Sequence, residues 1–335
     1  MNDTLKVGVV GVGSLGFHHA RILRDVPGAR LVGVHDLDPA RRAQVAAELG
    51  VPAIADQNAL LDGIDACVIA VPTLAHERVA CAALERGVHV LVEKPIAPDL
   101  DAADRILAAA EASGALIQIG HVERFNAALR ACEPHLDQPI FVESHRLAPF
   151  GPRGTDVAVV LDLMIHDLDL VLSLMQRPVE SIAAVGVPVL TASPDIANAR
   201  IEFEGGGVAN LTASRVSLDR MRKIRFFQRS GYISLDLAAG TGEYLRLRPG
   251  VSLEERLAAA GDNRPLDFAT LMDIVERISL RGDGREPLRA ELESFVAAAQ
   301  GRSPVAVSGQ EGRDALAVAL EINRRIDRYV AAAPA

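Results

Sequence analysis

The sequence predicts an α/β protein of two domains. The first is built on a doubly wound parallel sheet, and the second is an α+β domain with a mostly antiparallel open sheet. Three observations predict this. The length of 335 residues suits about two domains. Short β-branched runs alternate with helical segments up to about residue 120, and strand-like runs follow one another closely beyond it. We place the boundary at residue 121, which gives domains 1–121 and 122–335.

The first domain is predicted to contain five strands with helices between them. The apolar runs are residues 6–10, 31–35, 66–71, 88–92 and 116–119. The segments with helical period are residues 14–25, 39–49, 75–86 and 100–112. Strands that alternate with helices indicate βαβ units and a parallel sheet. The near-continuous apolar run 66–71 is typical of a strand covered on both faces.

The second domain begins with irregular sequence and one long helical stretch, residues 157–175. Six strand-like runs come next, at residues 182–189, 199–203, 208–213, 223–228, 232–237 and 244–247. Strands at such short spacing favour an antiparallel sheet. Residues 252–280 are hard to interpret and are expected to be partly loop. Two helices, 286–299 and 309–330, are predicted to end the chain.

Composition excludes several classes of protein. The hydrophobic fraction of 49% argues against disorder, and the net charge of −9 argues against sequence-independent binding of nucleic acid. The basic stretch 220–229 is therefore interpreted as a strand face that lies on a sheet or against a second subunit. Cys67, Cys81 and Cys132 lack metal-ligand spacing, so we expect reduced structural thiols and no metal. With no signal-like start and no long apolar run, we expect a cytoplasmic protein without a membrane partner.

A glycine-rich loop directly follows the first predicted strand. It reads Gly11-Val12-Gly13-Ser14-Leu15-Gly16 and opens a predicted helix, which is the context that a dinucleotide-binding loop needs. Gly11 permits the tight turn, Gly13 lets backbone approach a pyrophosphate, and Gly16 lets the helix pack closely on the strand. The helix N-terminus then offers free N–H groups to the phosphates. The simpler alternative is a tight turn with no ligand.

Asp36 lies twenty residues after Gly16, at the end of the second predicted strand. A carboxylate there accepts hydrogen bonds from the ribose hydroxyls of adenosine and repels a 2′-phosphate, which favours NAD over NADP. Arg41 and Arg42 lie one turn further along and leave NADP open as the less favoured cofactor. If the glycines only make a turn, Asp36 merely caps a loop.

Two further segments follow predicted strands of the first domain. Pro72, Thr73 and His76 come after the run 66–71, and Glu93 and Lys94 come after the run 88–92. In a doubly wound sheet the carboxyl ends of the strands face the ligand crevice, so we expect all five residues to border the cofactor. The alternative for Lys94 is a solvated cation at a strand end.

The long helix of the second domain carries Asp162, His166 and Asp169. Their spacings of four and three place them on one helical face, within strongly apolar sequence. Charged groups in such surroundings are costly unless they are paired or functional. The alternative is a solvated acidic face on which His166 is an ordinary partner.

These motifs together resemble the Gfo/Idh/MocA oxidoreductase family. The glycine loop, Glu93-Lys94-Pro95 and the Asp162/His166/Asp169 spacing carry the resemblance, which extends over essentially the whole chain. It implies a Rossmann domain followed by a helix-plus-open-sheet domain, with the substrate between them. It also implies that Lys94 is catalytic near the nicotinamide, and that its peptide bond to Pro95 is cis.

The chemistry of alcohol oxidation assigns roles to these residues. A hydride leaves carbon for the nicotinamide, and a proton leaves the hydroxyl group. We expect His166 to be the general base, with Asp162 orienting it or pairing with Lys94. A protonated Lys94 would stabilise the developing alkoxide. The reverse assignment, in which Lys94 takes the proton, stays open. Either way the two side chains are expected to converge beside the cofactor ring.

Residues 120–126 and 157–167 resemble one branch of the family, which oxidises the 3-hydroxyl of UDP-N-acetylglucosamine or of its uronate. In that branch an aminotransferase converts the product, for lipid A or O-antigen sugars. This sequence departs from the pattern of that branch at Ala127, where proline is expected. The resemblance favours a homodimer or homotetramer. The residues expected to bind the substrate are Arg124, Asn126, Arg146, Arg153 and His166. The three arginines are included because a nucleotide diphosphate needs cations.

Three other functions fit the same sequence features. The first is a dehydrogenase of a free sugar or inositol, and the second is a reductase of another carbonyl or imine. The third belongs to a different class, a non-catalytic NAD(H)-binding sensor on the same fold. The presence of Lys94, Asp162 and His166 argues against a sensor, which would not need them.

Overall fold

A computed structural model of the chain describes residues 4–151, 157–252 and 274–332. These residues fall into two compact units. The first lies within Met1–Phe125 and Arg285–Glu321, and the second within Asn126–Gly284 and Ile322–Ala335.

The first unit is a five-stranded parallel sheet with strand order β2-β1-β3-β4-β5. Its strands are β1 (Leu5–Val10), β2 (Ala29–His35), β3 (Ala66–Ile69), β4 (His89–Glu93) and β5 (Ile117–Gly120). Its helices up to β5 are α1 (Ser14–Leu23), α2 (Pro39–Leu49), α3 (Gln57–Leu61), α4 (His76–Leu84) and α5 (Leu100–Ser113). The strand order reverses between β1 and β3, and ligands of doubly wound sheets bind at that point.

Both faces of this sheet are covered, as the apolar strands require. Val7 and Val9 belong to a buried cluster on one side of β1. On the other side, a side chain at Gly8 would meet Leu60 and Ile64. The predicted strands and helices of this half match the observed elements to within a few residues. The short α3 was not predicted, since five residues show too little helical period.

The first unit also takes up residues from the end of the chain. The helix α8 (Pro287–Ala299) buries Leu292, Phe295 and Val296 in the cluster that contains Val7 and Val9. The helix α9 (Gly309–Ala332) packs its first turn on β5, where a side chain at Gly312 would meet Ile119. Residues 285–321 thus belong with the parallel sheet, whereas the division at residue 121 assigned them to the second domain. Nearby sequence gives no sign of this, because the contacts join residues almost 300 positions apart.

The second unit contains an eight-stranded sheet with strand order β13-β12-β11-β10-β6-β9-β8-β7. Only the β6–β9 pair is parallel. The strands are β6 (Phe141–Leu147), β7 (Val179–Val187), β8 (Ile196–Phe203), β9 (Val208–Ser214), β10 (Met221–Gln228), β11 (Gly231–Asp236), β12 (Thr241–Leu247) and β13 (Val275–Arg281). The helices are α6 (Ala127–Cys132) and α7 (Ile165–Met175), and α7 follows a π-helical turn, Val160–Met164.

The predicted fold class is confirmed, a parallel α/β sheet followed by a mostly antiparallel one. The sequence analysis missed β6, β13 and α6 in the second unit. β6 is central in its sheet, yet its buried positions are Val142, Ser144 and Arg146, so the usual apolar alternation is lost. The predicted helix 157–175 is interrupted by the π-helical turn, a feature that often marks functional sites.

Candidate functional site

The glycine loop has the geometry that a dinucleotide needs. Gly11 has a φ of +85°, and a side chain there would clash with the backbone of Ala70 and Val71. A side chain at Gly16 would collide with the backbone of Gly11, so α1 packs directly on the loop. At Gly13, by contrast, no atom outside Gly13 and its two chain neighbours lies within 4 Å of the position that a Cβ would take. Gly13 precedes the first turn of α1, so the open space lies at a helix N-terminus suited to phosphate.

Asp36 is already tied to the glycine loop. Its Oδ2 accepts a hydrogen bond from the backbone N–H of Val12 at 2.8 Å, and its Oδ1 accepts one from Asp38 at 2.9 Å. Each carboxylate oxygen retains further acceptor capacity for a ribose hydroxyl. Loop capping and ribose recognition, which the sequence offered as alternatives, are therefore compatible.

The two arginines near Asp36 donate to backbone carbonyls. Arg41 Nε donates to Val12 at 2.8 Å, and its guanidinium lies 5.7 Å from the ring centre of Phe17. Arg42 Nη1 donates to the carbonyl oxygen of Asp36 at 2.6 Å. These contacts give both cations structural roles in the loop.

Glu93, at the end of β4, is buried and contacts α1. Its Oε1 lies 2.7 Å from His19 Nε2 on α1, and its Oε2 accepts the backbone N–H of Lys94 at 3.1 Å. Burial acts to raise the pKa of Glu93. The hydrogen bond and charge of His19 and the charge of Lys94 outweigh it, so the pKa is lowered. Each carboxylate oxygen thus has a protein partner, and the expected contact of Glu93 with the cofactor stays a prediction.

His76 is also held by the protein rather than presented to a ligand. It is 1% exposed, with Nδ1 at 2.9 Å from the carbonyl oxygen of Pro95 and Nε2 at 3.0 Å from that of Val71. Burial lowers the pKa of His76, although both carbonyls and the charge of Glu93 oppose the shift. The ring therefore links the segment after β3 to the segment after β4, and its expected contact with the cofactor stays a prediction.

Lys94 follows this buried arrangement and is itself half-buried. Its peptide bond to Pro95 is cis, as the family resemblance implies. Pro72 is exposed and Thr73 is half-buried, in the 3-10 turn that leads into α4. Ser14 and Leu15 are exposed at the start of α1.

In the second unit, Asp162 lies in the π-helical turn and His166 lies in the first turn of α7. Both are half-buried, whereas Asp167 and Asp169 are 3% and 1% exposed. Of the four polar residues, Asp162 and His166 are thus the two that remain partly exposed.

Arg146, a predicted substrate contact, forms a buried ion pair. Its Nε and Nη2 donate to the two carboxylate oxygens of Asp167 at 2.8 and 2.9 Å, and both side chains are 4% exposed. This bidentate pair joins β6 to the first turn of α7, next to His166. The pair therefore supports α7, and binding of the substrate by Arg146 stays a prediction.

The other predicted substrate contacts have different surroundings. Asn126 is buried and caps α6: its Oδ1 accepts from Ala128 at 3.0 Å and its Nδ2 donates to Leu237 at 2.8 Å. These contacts give Asn126 a structural role, and its contact with the substrate stays a prediction. Arg124 is half-buried, 3.1 Å from Glu311. Arg153 lies outside the described residues.

Sequence reasoning also missed a buried network beside the π-helical turn. Asp195 accepts hydrogen bonds from three backbone N–H groups of the β7–β8 loop and from Arg215 Nε at 2.9 Å. Arg215 Nη1 donates to the carbonyl oxygen of Val157 at 2.7 Å. The network thus anchors the segment that leads into Asp162 and His166. An isolated arginine and an isolated aspartate, twenty residues apart, give no sequence signal.

The cysteines are all free thiols, and burial raises the pKa of Cys67 and of Cys132 to about 12. In residues 4–151, 157–252 and 274–332 we find no group of three metal-ligating side chains. Within the same ranges, every helix is too short or too polar for a membrane span.

Comparison with known proteins identifies the family. Residues 5–121 match the model of an oxidoreductase family with an NAD-binding Rossmann fold, and residues 118–234 match the Gfo/Idh/MocA C-terminal domain. The UDP-N-acetylglucosamine 3-dehydrogenase of Acidithiobacillus ferrooxidans is 35% identical over 97% of this chain and 98% of its own. The chain belongs to the Gfo/Idh/MocA family. It is therefore an NAD-dependent dehydrogenase, and the predicted cofactor and enzyme class are confirmed.

The matched relatives differ in substrate. A crystal structure of the A. ferrooxidans enzyme, GnnA, superposes with a TM-score of 0.86 at 34% identity, over 97% of this chain and 98% of that one. The scyllo-inositol 2-dehydrogenase (NAD(+)) of Bacillus subtilis is 30% identical over 65% of this chain and 69% of its own. A Lactobacillus casei scyllo-inositol dehydrogenase with bound NAD(H) and scyllo-inositol shares the fold, with a TM-score of 0.76 at 19% identity over 97% of this chain and 98% of that one.

Proposed function

We propose that the protein oxidises the 3-hydroxyl of UDP-N-acetylglucosamine, or of its uronate, to the 3-keto sugar. The observation that carries this proposal is the 35% identity to UDP-N-acetylglucosamine 3-dehydrogenase over almost the full length of both chains. The match to the B. subtilis inositol enzyme covers only 65% of this chain in sequence. A match over almost the full length of both chains supports the nucleotide sugar better than a match over part of them.

We assign the chemical roles to half-buried polar groups, Lys94 of the first unit and Asp162 and His166 of the second. NAD, when bound, accepts the hydride. His166 takes the proton of the sugar hydroxyl, since imidazole exchanges protons near neutral pH. Lys94 stabilises the negative charge that develops on the same oxygen, and Asp162 orients His166. The reverse assignment of Lys94 and His166 predicts a different pH dependence of turnover.

The diphosphate of the substrate needs cationic side chains. Arg124 and Arg153 stay our candidates, now that Arg146 and Asn126 have structural partners. Arg124 is already paired with Glu311. To bind phosphate, its guanidinium would contact the carboxylate and the phosphate together, or would leave the carboxylate for the phosphate.

The substrate is tested with UDP-N-acetylglucosamine, its uronate, free N-acetylglucosamine, myo-inositol and scyllo-inositol under the same conditions. We expect reduced nicotinamide to form with a UDP-sugar and with none of the other three substrates. UDP-N-acetylglucosamine deuterated at carbon 3 is expected to transfer the label to the cofactor, which identifies the oxidised position. Turnover of an inositol without binding of either UDP-sugar would refute the proposal and favour the second candidate, an inositol dehydrogenase, which several relatives represent.

The catalytic roles are tested with Lys94→Met and His166→Asn. We expect turnover to fall by at least about a hundredfold in each, because each variant removes a group that acts on the reacting hydroxyl. NADH affinity, measured by calorimetry, is expected to stay within about twofold. Lys223→Met is the matched control for Lys94→Met. Near-normal turnover in either active-site variant removes that residue from the mechanism.

Several broader expectations accompany this function. We propose that the enzyme is cytoplasmic, forms a homodimer or homotetramer, and supplies its keto sugar to an aminotransferase in lipid A or O-antigen synthesis. Size-exclusion chromatography with light scattering tests the oligomer. Amination of the purified 3-keto product by a pyridoxal-dependent aminotransferase tests the last step.

A further inference from the structure

A buried chain of contacts leads from α1 to Lys94. His19 on α1 is 0% exposed, and its Nε2 lies 2.7 Å from Glu93 Oε1. The other carboxylate oxygen, Oε2, accepts the backbone N–H of Lys94 at 3.1 Å. Glu93 therefore contacts an imidazole with one oxygen and the main chain of Lys94 with the other.

The surrounding residues leave the Glu93 carboxylate little room to move. The neighbouring strand β5 presents Gly120, where a Cβ would lie 3.3 Å from Glu93 Cδ and Oε2. A larger residue at that position would press on the carboxylate. Glu93 is thus confined by β5 on one side and by His19 on another, with a side chain only 11% exposed.

A buried carboxylate has to be compensated to remain charged. The titratable groups that interact with Glu93 include His19 from α1, Lys94 at its own strand end and His76 from α4, and Gly120 of β5 lies against the carboxylate. The charges of His19 and Lys94 both favour ionised Glu93. Since such interactions are reciprocal, ionised Glu93 favours the ammonium form of Lys94.

We propose that His19 is a positioning residue that acts through Glu93. It keeps the carboxylate charged and in place, and the carboxylate fixes the main chain of Lys94 and favours the protonated form of its side chain. The link to catalysis rests on the proposed function, in which Lys94 acts on the substrate. The link between His19, Glu93 and the charge of Lys94 does not depend on the substrate.

The chain offers a direct way to measure this charge. It contains three lysines, Lys6, Lys94 and Lys223, so acetylation of each is resolved by mass spectrometry of its peptide. Acetic anhydride reacts only with unprotonated amines. The rate of acetylation of Lys94 as a function of pH therefore gives its proton affinity in the intact protein, with Lys6 and Lys223 as internal controls.

Glu93→Gln keeps the shape of the side chain and removes its charge. We expect the titration of Lys94 to shift to lower pH by about one unit or more, because an ammonium loses a neighbouring anion. His19→Leu is expected to shift it in the same direction, since Glu93 loses its buried donor and takes up a proton more readily. Adding His19→Leu to Glu93→Gln is expected to add little, because both act through one carboxylate.

Two variants separate this role from a merely structural one. His19→Gln retains an N–H donor near the position of Nε2, and we expect it to keep the Lys94 titration close to that of the native protein. His18→Leu changes the neighbouring histidine on the same helix, which is exposed, and is expected to change nothing. If His19→Leu does not fold, the Lys94 titration is still compared among the native protein, Glu93→Gln and His19→Gln.

The outcomes are distinguishable from those of the proposed function. An unchanged Lys94 titration in both Glu93→Gln and His19→Leu overturns the inference, even if both variants are less stable. If Lys94→Met retains turnover while the titration shifts as expected, the catalytic proposal fails and the inference about charge stands. With both correct, the limb of the pH–rate profile that belongs to Lys94 moves to lower pH in Glu93→Gln.

Discussion

Asp36 illustrates how one side chain combines a local and a functional role. It accepts backbone hydrogen bonds from Val12 and Asp38, so it shapes the glycine loop before any ligand binds. Its negative charge also disfavours a 2′-phosphate at the ribose. Arg41 and Arg42, which would attract such a phosphate, donate instead to backbone carbonyls.

The first prediction concerns this charge. Asp36→Asn retains an acceptor oxygen and removes the repulsion, so we expect kcat/KM for NADP relative to NAD to rise by about tenfold or more. The ratio is measured with each cofactor at saturating sugar. Asp38→Asn, which removes a nearby charge without a contact to Val12, is the control. An unchanged ratio would mean that Asp36 acts only as a loop cap.

The elements of the second unit that carry Asp162 and His166 are held by two buried ion pairs. Arg146 of β6 binds Asp167 in the first turn of α7. Arg215, which follows β9, binds Asp195 and the carbonyl oxygen before the π-helical turn. Removing one partner of a buried ion pair lowers the free energy of unfolding by more than the intact pair adds to it, because an uncompensated buried charge remains.

The second prediction follows for Arg146. Arg146→Met is expected to reduce the free energy of unfolding by about 3 to 5 kcal/mol, because Asp167 is left charged and buried. Arg146→Met combined with Asp167→Leu is expected to recover part of this loss. The control is Arg225→Met, which breaks a partly solvent-exposed pair with Glu143 and should cost about 1 kcal/mol or less. Denaturant unfolding measures the stability of all three variants. Equal losses of stability in Arg146→Met and Arg225→Met would contradict the structural role of the Arg146–Asp167 pair.

The third prediction concerns pH and Asp195. Burial acts to raise the pKa of Asp195, but the hydrogen bonds from Leu190, Thr191 and Arg215 outweigh it and lower the pKa. A carboxyl group with a lowered pKa stabilises the fold above its unfolded-state pKa of about 4, and this contribution is lost as pH falls below that value. Asp195→Asn should therefore be less stable by about 3 kcal/mol at neutral pH.

The same argument gives the shape of the pH dependence. The difference in unfolding free energy between the native protein and Asp195→Asn is expected to be constant between about pH 5 and 8 and to shrink below about pH 4. Urea unfolding at several pH values measures it. A difference that persists unchanged into the acidic range would show that charge is not the source of the stability.

At the scale of the whole molecule, the first unit is not a continuous stretch of chain. Leu292, Phe295 and Val296 of α8 complete the cluster on one face of the parallel sheet. A fragment that ends at residue 121 would expose the apolar surface that these residues cover. Such exposed apolar surface favours aggregation over folding.

The fourth prediction tests this division. Residues 1–121 alone are expected to lack a cooperative thermal transition and to bind NADH poorly. The same stretch extended to residue 125 and linked flexibly to residues 285–321 is expected to show both properties. Circular dichroism and calorimetry measure them. Cooperative unfolding and full NADH affinity of residues 1–121 would favour the boundary predicted from the sequence.

The sequence by itself determined the parallel sheet, the glycine loop with Asp36, and the candidates Lys94, Asp162 and His166. These features are local: strand, turn and helix follow one another within about thirty residues, so periodicity and glycine spacing carry the information. The family resemblance rests on the same short motifs.

Only the tertiary structure decided which polar residues are buried partners. Arg146 and Asp167 are 21 residues apart, and His19 and Glu93 are 74 apart, so no local pattern distinguishes them from substrate contacts. The same holds for the central strand β6, whose buried serine and arginine hide its alternation, and for α8, which joins a sheet formed by the other end of the chain. Burial and pairing depend on contacts distant in sequence, and residue spacing does not encode them.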